Sequence, residues 1–259
     1  MIQNQKLDWD LAKLCSEISG ASYLPKDEFK EFLLSKNIKT IPRMFDNNGA
    51  EAYCFRLNAD TVVISFRGTE IIADNWSDVL ADIKAWPTSS DTAGDIHAGF
   101  KGHVDKIYPS IYAYIKSRFL NRDRDTILVT GHSLGGAMAA ICASRLHQHR
   151  YKVKLFTYGC PRVGSKNWAE QFANIEAYRF QNNNDIVCTV PPFGLYSHVG
   201  QLYYMDYAGH IHKKISTWAR IWDSIRGRIK AYSKLEIFDS IYDHDITRYK
   251  NKIEQNIQR

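Results

Sequence analysis

The stretch TILVTGHSLGGAMAAICA, residues 126–143, leaves the chain few ways to fold. TILVTG is apolar and β-branched, as a buried strand requires, and LGGAMAAICA is rich in residues that favour a helix. Only Gly131-His132-Ser133-Leu134-Gly135 lies between them, so the chain must turn sharply at the serine and begin a helix at once. Gly131 and Gly135 omit side chains where strand and helix come closest, and Gly136 and Ala137 let the helix lie tightly on the sheet. Such a turn presents an exposed serine hydroxyl and aims the amide of Leu134 at any negative charge that develops there. Ser133 is therefore the candidate nucleophile. A tight structural turn with an incidental serine is the alternative, and the strand-to-helix context favours the first.

The surrounding segments set the fold class. Leu7, Leu11, Leu14 and Ile18 space an opening amphipathic helix over 7–18. EAYCFRL (51–57) and TVVISF (61–66) read as strands joined by a turn, and KVKLFTYG (152–159) and AYRFQ (177–181) as further strands. Helices are expected over 103–119 and about 134–147, and PTSSDTAGD (87–95) reads as a polar loop. Strands alternating with helices make an α/β fold, a mostly parallel central sheet flanked by helices. With 259 residues, 44% hydrophobic and 24% charged, one domain spanning 1–259 is expected.

Several functional classes fall away. The five cysteines are odd in number and widely spaced, which fits neither a disulfide framework nor a zinc site; buried thiols in a reducing compartment are expected. With no calcium loop and no HExxH, no metal or organic cofactor is expected. The opening MIQNQKLDWDLAKLC lacks the apolar core of a secretory signal, and no window has the apolar length of a membrane span. A cytoplasmic or peripheral membrane protein is expected, with export by another route left open. The net charge of +6 is concentrated in Lys213, Lys214, Arg220, Arg226, Arg228, Lys230 and Lys234. The near-balanced remainder argues against a nucleic-acid partner.

A serine nucleophile needs a base, and the base an orienting acid. Asp185, in RFQNNNDIVCTVPP just past a predicted strand, is the acid candidate; an Asx-turn there is its structural alternative, and Asp206 competes with it. The bases downstream are His198, His210, His212 and His244. His244, in SIYDHDITRY, stands before a terminal helix opened by Asp245, a junction from which an imidazole can reach over a sheet edge. His198, in YSHVG, follows the acid more closely and precedes the strand GQLYYMD. His210 and His212 border the basic segment. Spacing leaves both His244 and His198 open.

FRGT (66–69), NWSDVLAD (75–82), HAGF (97–100), GHSLGGAMA (131–139), YGCPRVGS (158–165), NDIVCTVPP (184–192), YSHVG (196–200) and YDHDITRY (242–249) occur in that order. As a set they resemble the class 3 lipases, the fungal-type triacylglycerol lipase group of the α/β-hydrolase superfamily, over about residues 50–250. The resemblance implies the α/β-hydrolase fold and a triad of Ser133, Asp185 and His244, with His198 structural. It also implies an oxyanion hole formed by the amides of Thr69 and Leu134, with Gly68 letting the backbone approach and Arg67 anchoring the turn. The segment after Thr69 corresponds to the lid of such lipases. There Ile72, Trp76 and Leu80 recur at helical spacing opposite Asp74, Asp78 and Asp82. A mobile lid and a permanently docked helix both fit that pattern.

The expected chemistry is serine-dependent hydrolysis of ester bonds in acylglycerol-type lipids through an acyl-enzyme. A phospholipase A1 or lysophospholipase would share every catalytic residue, as would a short-chain carboxylesterase. A non-catalytic membrane-binding module is the alternative of a different class, disfavoured by the complete residue set. The basic segment 212–234 carries Ile215, Trp218, Ile221, Trp222, Ile225 and Ile229 at helical spacing among its cations. A basic amphipathic helix of this kind suits peripheral contact with an anionic membrane surface; a helix packed on the domain, or an interface between protomers, is the alternative.

Overall fold

The computed structural model describes residues 6–69, 86–118, 124–192, 194–213 and 243–258. The lid candidates Ile72, Trp76 and Leu80, and the 212–234 segment beyond Lys213, lie outside the described residues. In chain order the strands are β1 (Arg43–Asn47), β2 (Ala50–Asn58), β3 (Thr61–Phe66), β4 (Pro87–Ser89), β5 (Asp95–His97), β6 (Thr126–His132), β7 (Lys152–Tyr158), β8 (Glu176–Asn182), β9 (Gln201–Met205) and β10 (Ile211–His212). The helices are α1 (Trp9–Ala21), α2 (Lys26–Ser35), α3 (Ala98–Arg118), α4 (Leu134–Gln148), α5 (Lys166–Glu170) and α6 (Ile246–Gln258).

One sheet runs β1-β2-β3-β6-β7-β8-β9-β10. Its centre, from β3 to β9, is parallel, and antiparallel strands close both edges. The mostly parallel sheet expected from the sequence is what forms. Period-two alternation sends side chains to two cores. Val62, Ile64 and Phe66 of β3 pack with Val104 and Ile111 of α3 and Met138 and Ile141 of α4. Val63 and Leu128 face the other way, with Ala12, Cys15 and Ile18 of α1 and Tyr249 and Ile253 of α6. Each such buried Val or Ile contributes about 1.5–3 kcal/mol relative to exposure. The first and last helices therefore share one face of the sheet and pack on each other.

Three local expectations need correction. PTSSDTAGD is no plain loop: β4 pairs antiparallel with β5, with Ser90 N–H donating to Gly94 O at 3.0 Å and Gly94 at φ 66° making the return. Helix α3 begins at Ala98 because the Phe100 amide donates to Nδ1 of His97 at 3.3 Å, which occupies a free helix-start donor. Helix α1 runs from Trp9 to Ala21, capped by the Asp8 carboxylate, which accepts from Leu11 N–H at 2.9 Å. Among the described residues, no helix is long and apolar enough to cross a membrane, and no group of three or more His, Cys, Asp or Glu could hold a metal ion. All five cysteines are buried free thiols, and burial pushes those of Cys142 and Cys160 up to about 12.

Candidate active site

Ser133 joins β6 to α4 with φ 58° and ψ −129°. A non-glycine residue pays about 1–3 kcal/mol for such a conformation, so the surroundings must enforce it. Ser133 N–H donates to Tyr158 O at 3.0 Å, and Gly136 N–H donates to Ser133 O at 2.9 Å. The glycines do the rest by absence. A Cβ on Gly131 would stand 2.3 Å from Gly135 O, and one on Gly135 would stand 2.3 Å from Phe66 O. Strand β6, the start of α4 and the end of β3 thus meet backbone to backbone. Ser133 itself is only 2% exposed, against the exposed hydroxyl expected from the motif.

The same close packing brings the turn after β3 to the helix start. The missing Cβ of Gly135 would lie 3.0 Å from both Arg67 C and Gly68 N, so the segment leading to Thr69 runs beside Leu134. Thr69 is exposed and Leu134 half-buried. Arg67 is tied down, its amide donating to Glu51 O at 3.1 Å and its guanidinium to the Glu51 carboxylate at 3.0 Å. That is the anchoring place expected of it.

His244, from the junction before α6, is buried beside a fully buried Asp185. Its Nδ1 lies 2.9 Å from Oδ2 and 3.0 Å from Oδ1 of Asp185. A carboxylate accepts, so Nδ1 carries the proton, and in the neutral ring Nε2 holds the lone pair. Asp185 also accepts from the Tyr249 hydroxyl at 2.5 Å and from Val187 N–H at 2.9 Å. Burial, with the nearby Asp185 charge, pushes the Tyr249 hydroxyl well above the usual tyrosine range, which keeps it a donor. Gly159, at φ 57°, is the floor of the pair: a Cβ there would be 2.8 Å from Asp185 Oδ2 and 2.9 Å from His244 Nδ1. Its neighbour Tyr158 holds the Ser133 amide, so the Ser133 turn, the Asp185 carboxylate and the His244 imidazole converge on residues 158–159.

Asp243 locks the two distant loops together. It accepts Asn182 Nδ2 through its main-chain oxygen at 2.8 Å, and the Asn184 amide through its carboxylate at 3.1 Å. The competing candidates are elsewhere. His198 Nε2 donates to Cys188 O at 2.9 Å and so braces the acid loop. Asp206 accepts from His212 Nε2 at 2.9 Å and His210 Nδ1 at 3.3 Å, forming its own cluster at the sheet edge. Sequence reasoning assigned nothing to Tyr249, Asp243 or Tyr23. Tyr249 and Asp243 sit within YDHDITRY, but nothing in that string marks which side chains turn toward Asp185.

A family model described as "Lipase (class 3)" matches residues 63–195. A lipase of Rhizomucor miehei is 33% identical over 156 residues, 56% of this chain and 42% of that protein. A secreted mono- and diacylglycerol lipase of Fusarium solani is 32% identical over 166 residues, 61% of this chain and 48% of that protein. The chain therefore spans less than half the length of these curated relatives. Among solved structures, a Rhizomucor miehei lipase propeptide complex superposes with a TM-score of 0.68 at 23% identity, covering 86% of this chain and 76% of that one. A mono- and diacylglycerol lipase from Aspergillus oryzae gives 0.66 at 22%, covering 78% and 81%. Both speak to the fold.

Proposed function

This chain belongs to the class 3 lipase family, and we propose that it hydrolyses carboxylic ester bonds of acylglycerol-type lipids with Ser133 as nucleophile, His244 as base and Asp185 as orienting acid. The observation that carries this reading is the buried Asp185–His244 pair standing beside a strained serine elbow. His244 Nε2 takes the proton of Ser133 Oγ as Oγ attacks the ester carbonyl carbon. The carbonyl oxygen becomes an oxyanion, which the amides of Thr69 and Leu134 stabilise; each such donor is commonly worth about 10²–10³ in rate. His244 returns the proton to the leaving alcohol, and the acyl group stays on Ser133. Water then attacks the acyl-enzyme with His244 again as base, which releases the fatty acid and restores the serine.

In this proposal Ile72, Trp76 and Leu80 supply the apolar face of a lid, and the 212–234 segment holds the protein at an anionic bilayer. The test is fatty-acid release from vesicles containing diglyceride, neutral phospholipid and anionic phospholipid, with Ser133→Ala as blank. Ser133-dependent release from glyceride is expected. Phospholipid cleavage that rises with anionic content and falls with salt would reassign the substrate to phospholipids. Turnover of soluble butyrate esters alone would remove the lipid reading.

A further inference from the structure

The residue before the nucleophile is a second buried histidine. His132 is 5% exposed, and its ring centroid lies 4.4 Å from that of His244. Its Nε2 is 2.7 Å from the main-chain oxygen of His244, and its Nδ1 is 2.9 Å from the hydroxyl of Tyr23. In the neutral ring these two distances fix the tautomer. A carbonyl oxygen only accepts, so Nε2 carries the proton and donates to it. Nδ1 is then a bare acceptor, and the Tyr23 hydroxyl must be its donor.

Tyr23 follows the end of α1, and that end is bolted to the strands that bear the site. Ser22 shares a hydrogen bond with Ser65 of β3 at 2.5 Å, and Ser19 one with Thr130 of β6 at 2.9 Å. The Tyr23 hydroxyl also fills the space where Gly68 lacks a side chain: a Cβ there would be 2.3 Å from it, and 2.6 Å from His132 O. One hydroxyl therefore touches the turn that leads to Thr69 and the ring that holds the backbone of His244.

We propose that Tyr23 and His132 are positioning residues for the reaction proposed above. The Tyr23 hydroxyl sets the tautomer of His132, and His132 Nε2–H fixes the His244 carbonyl, and with it the reach of the imidazole to Ser133. This inference rests on the assignment of Ser133 and His244 as nucleophile and base. A charged His132 would reverse the Tyr23 contact, with Nδ1 donating and the hydroxyl accepting, and would place a cation against the imidazolium that forms during attack. Burial, with His244 close by, holds His132 well below the usual histidine range and so keeps it neutral.

The test uses the full chain with p-nitrophenyl butyrate as a soluble ester and a fluorophosphonate probe that counts reactive serines. Tyr23→Phe keeps the ring and removes the hydroxyl; kcat is expected to fall about five- to tenfold with KM within about twofold, the size of one lost hydrogen bond felt in the transition state. His132→Gln, which keeps an amide donor for the His244 carbonyl, is expected to retain more kcat than His132→Leu. A Tyr23→Phe kcat within twofold of wild type, with Ser133→Ala inactive, overturns the positioning role and leaves the triad standing. No probe labelling and no turnover in wild type overturns the triad assignment, and the positioning role with it. A readout independent of any variant is the long-range ¹H–¹⁵N imidazole spectrum of wild type at pH 6. It is expected to show His132 neutral and protonated at Nε2; an imidazolium or an Nδ1–H ring there overturns the proposal.

Discussion

The two halves of the candidate site are made in different ways. The nucleophile half is assembled from neighbours in sequence: β6, Ser133 and α4 follow one another, and Gly131 and Gly135 set their distance by having nothing to clash. The acid–base half joins residues far apart in the chain, and it is held by side chains. Asp185 meets His244 through a buried hydrogen bond, Tyr249 supports the Asp185 carboxylate, and Asp243 ties the loops. The first half is fixed by excluded volume, which admits almost no substitution. The second is fixed by hydrogen-bond inventory, in which individual contacts can be removed one at a time with graded loss.

That contrast can be broken or sharpened by substitution. Asp185→Asn removes the charge that orients His244, and its expected cost is about 10⁴-fold in kcat, read by ester turnover, while cooperative thermal unfolding persists. A loss of only tenfold would mean that the acid half is less of a unit than its hydrogen bonds imply. Gly135→Ala forces a methyl against Phe66 O at 2.3 Å and is expected to cost about 3 kcal/mol or more in denaturant unfolding, together with activity. If it folds as well as wild type, excluded volume does not govern the nucleophile half. Tyr249→Phe should reduce kcat about tenfold, as the hydroxyl donated to Asp185 at 2.5 Å is lost while the ring stays packed. An unchanged rate would reduce Tyr249 to a core residue.

The smallest expected effect concerns acid stability. His132 has a folded-state pKa well below 6.5, lowered by burial and by His244. Below pH 6.5 the unfolded chain takes up a proton at this position that the folded chain does not. Its contribution to stability is therefore fully present above that pH and declines as pH falls toward the folded value, by at most about 1.4 kcal/mol per pH unit. His132→Gln should flatten the fall in unfolding free energy between pH 6.5 and 5 relative to wild type. An identical slope in the two proteins would show that His132 does not remain neutral in the fold.

By itself, the sequence determined the parallel α/β sheet, the strand-turn-helix at Ser133 and the short set of acids and bases. Each follows from information confined to a few adjacent residues: continuous apolar, β-branched runs in TVVISF and TILVTG, missing side chains at Gly131 and Gly135, a carboxylate in a loop after a strand. Spacing could not choose between His198 and His244, since both stand in loops downstream of Asp185 and only three-dimensional packing decides which imidazole meets the acid. It also gave no sign of Tyr249, Asp243, Tyr23 or His132 as members of the site, nor of the β4–β5 hairpin inside a polar stretch. Tertiary structure decided those. It packed α1 against α6 on one face of the sheet, which carried Tyr23 to His132 and Tyr249 to Asp185. A hydrogen bond between residues so distant in sequence forms only once the burial of two cores has fixed where every strand ends.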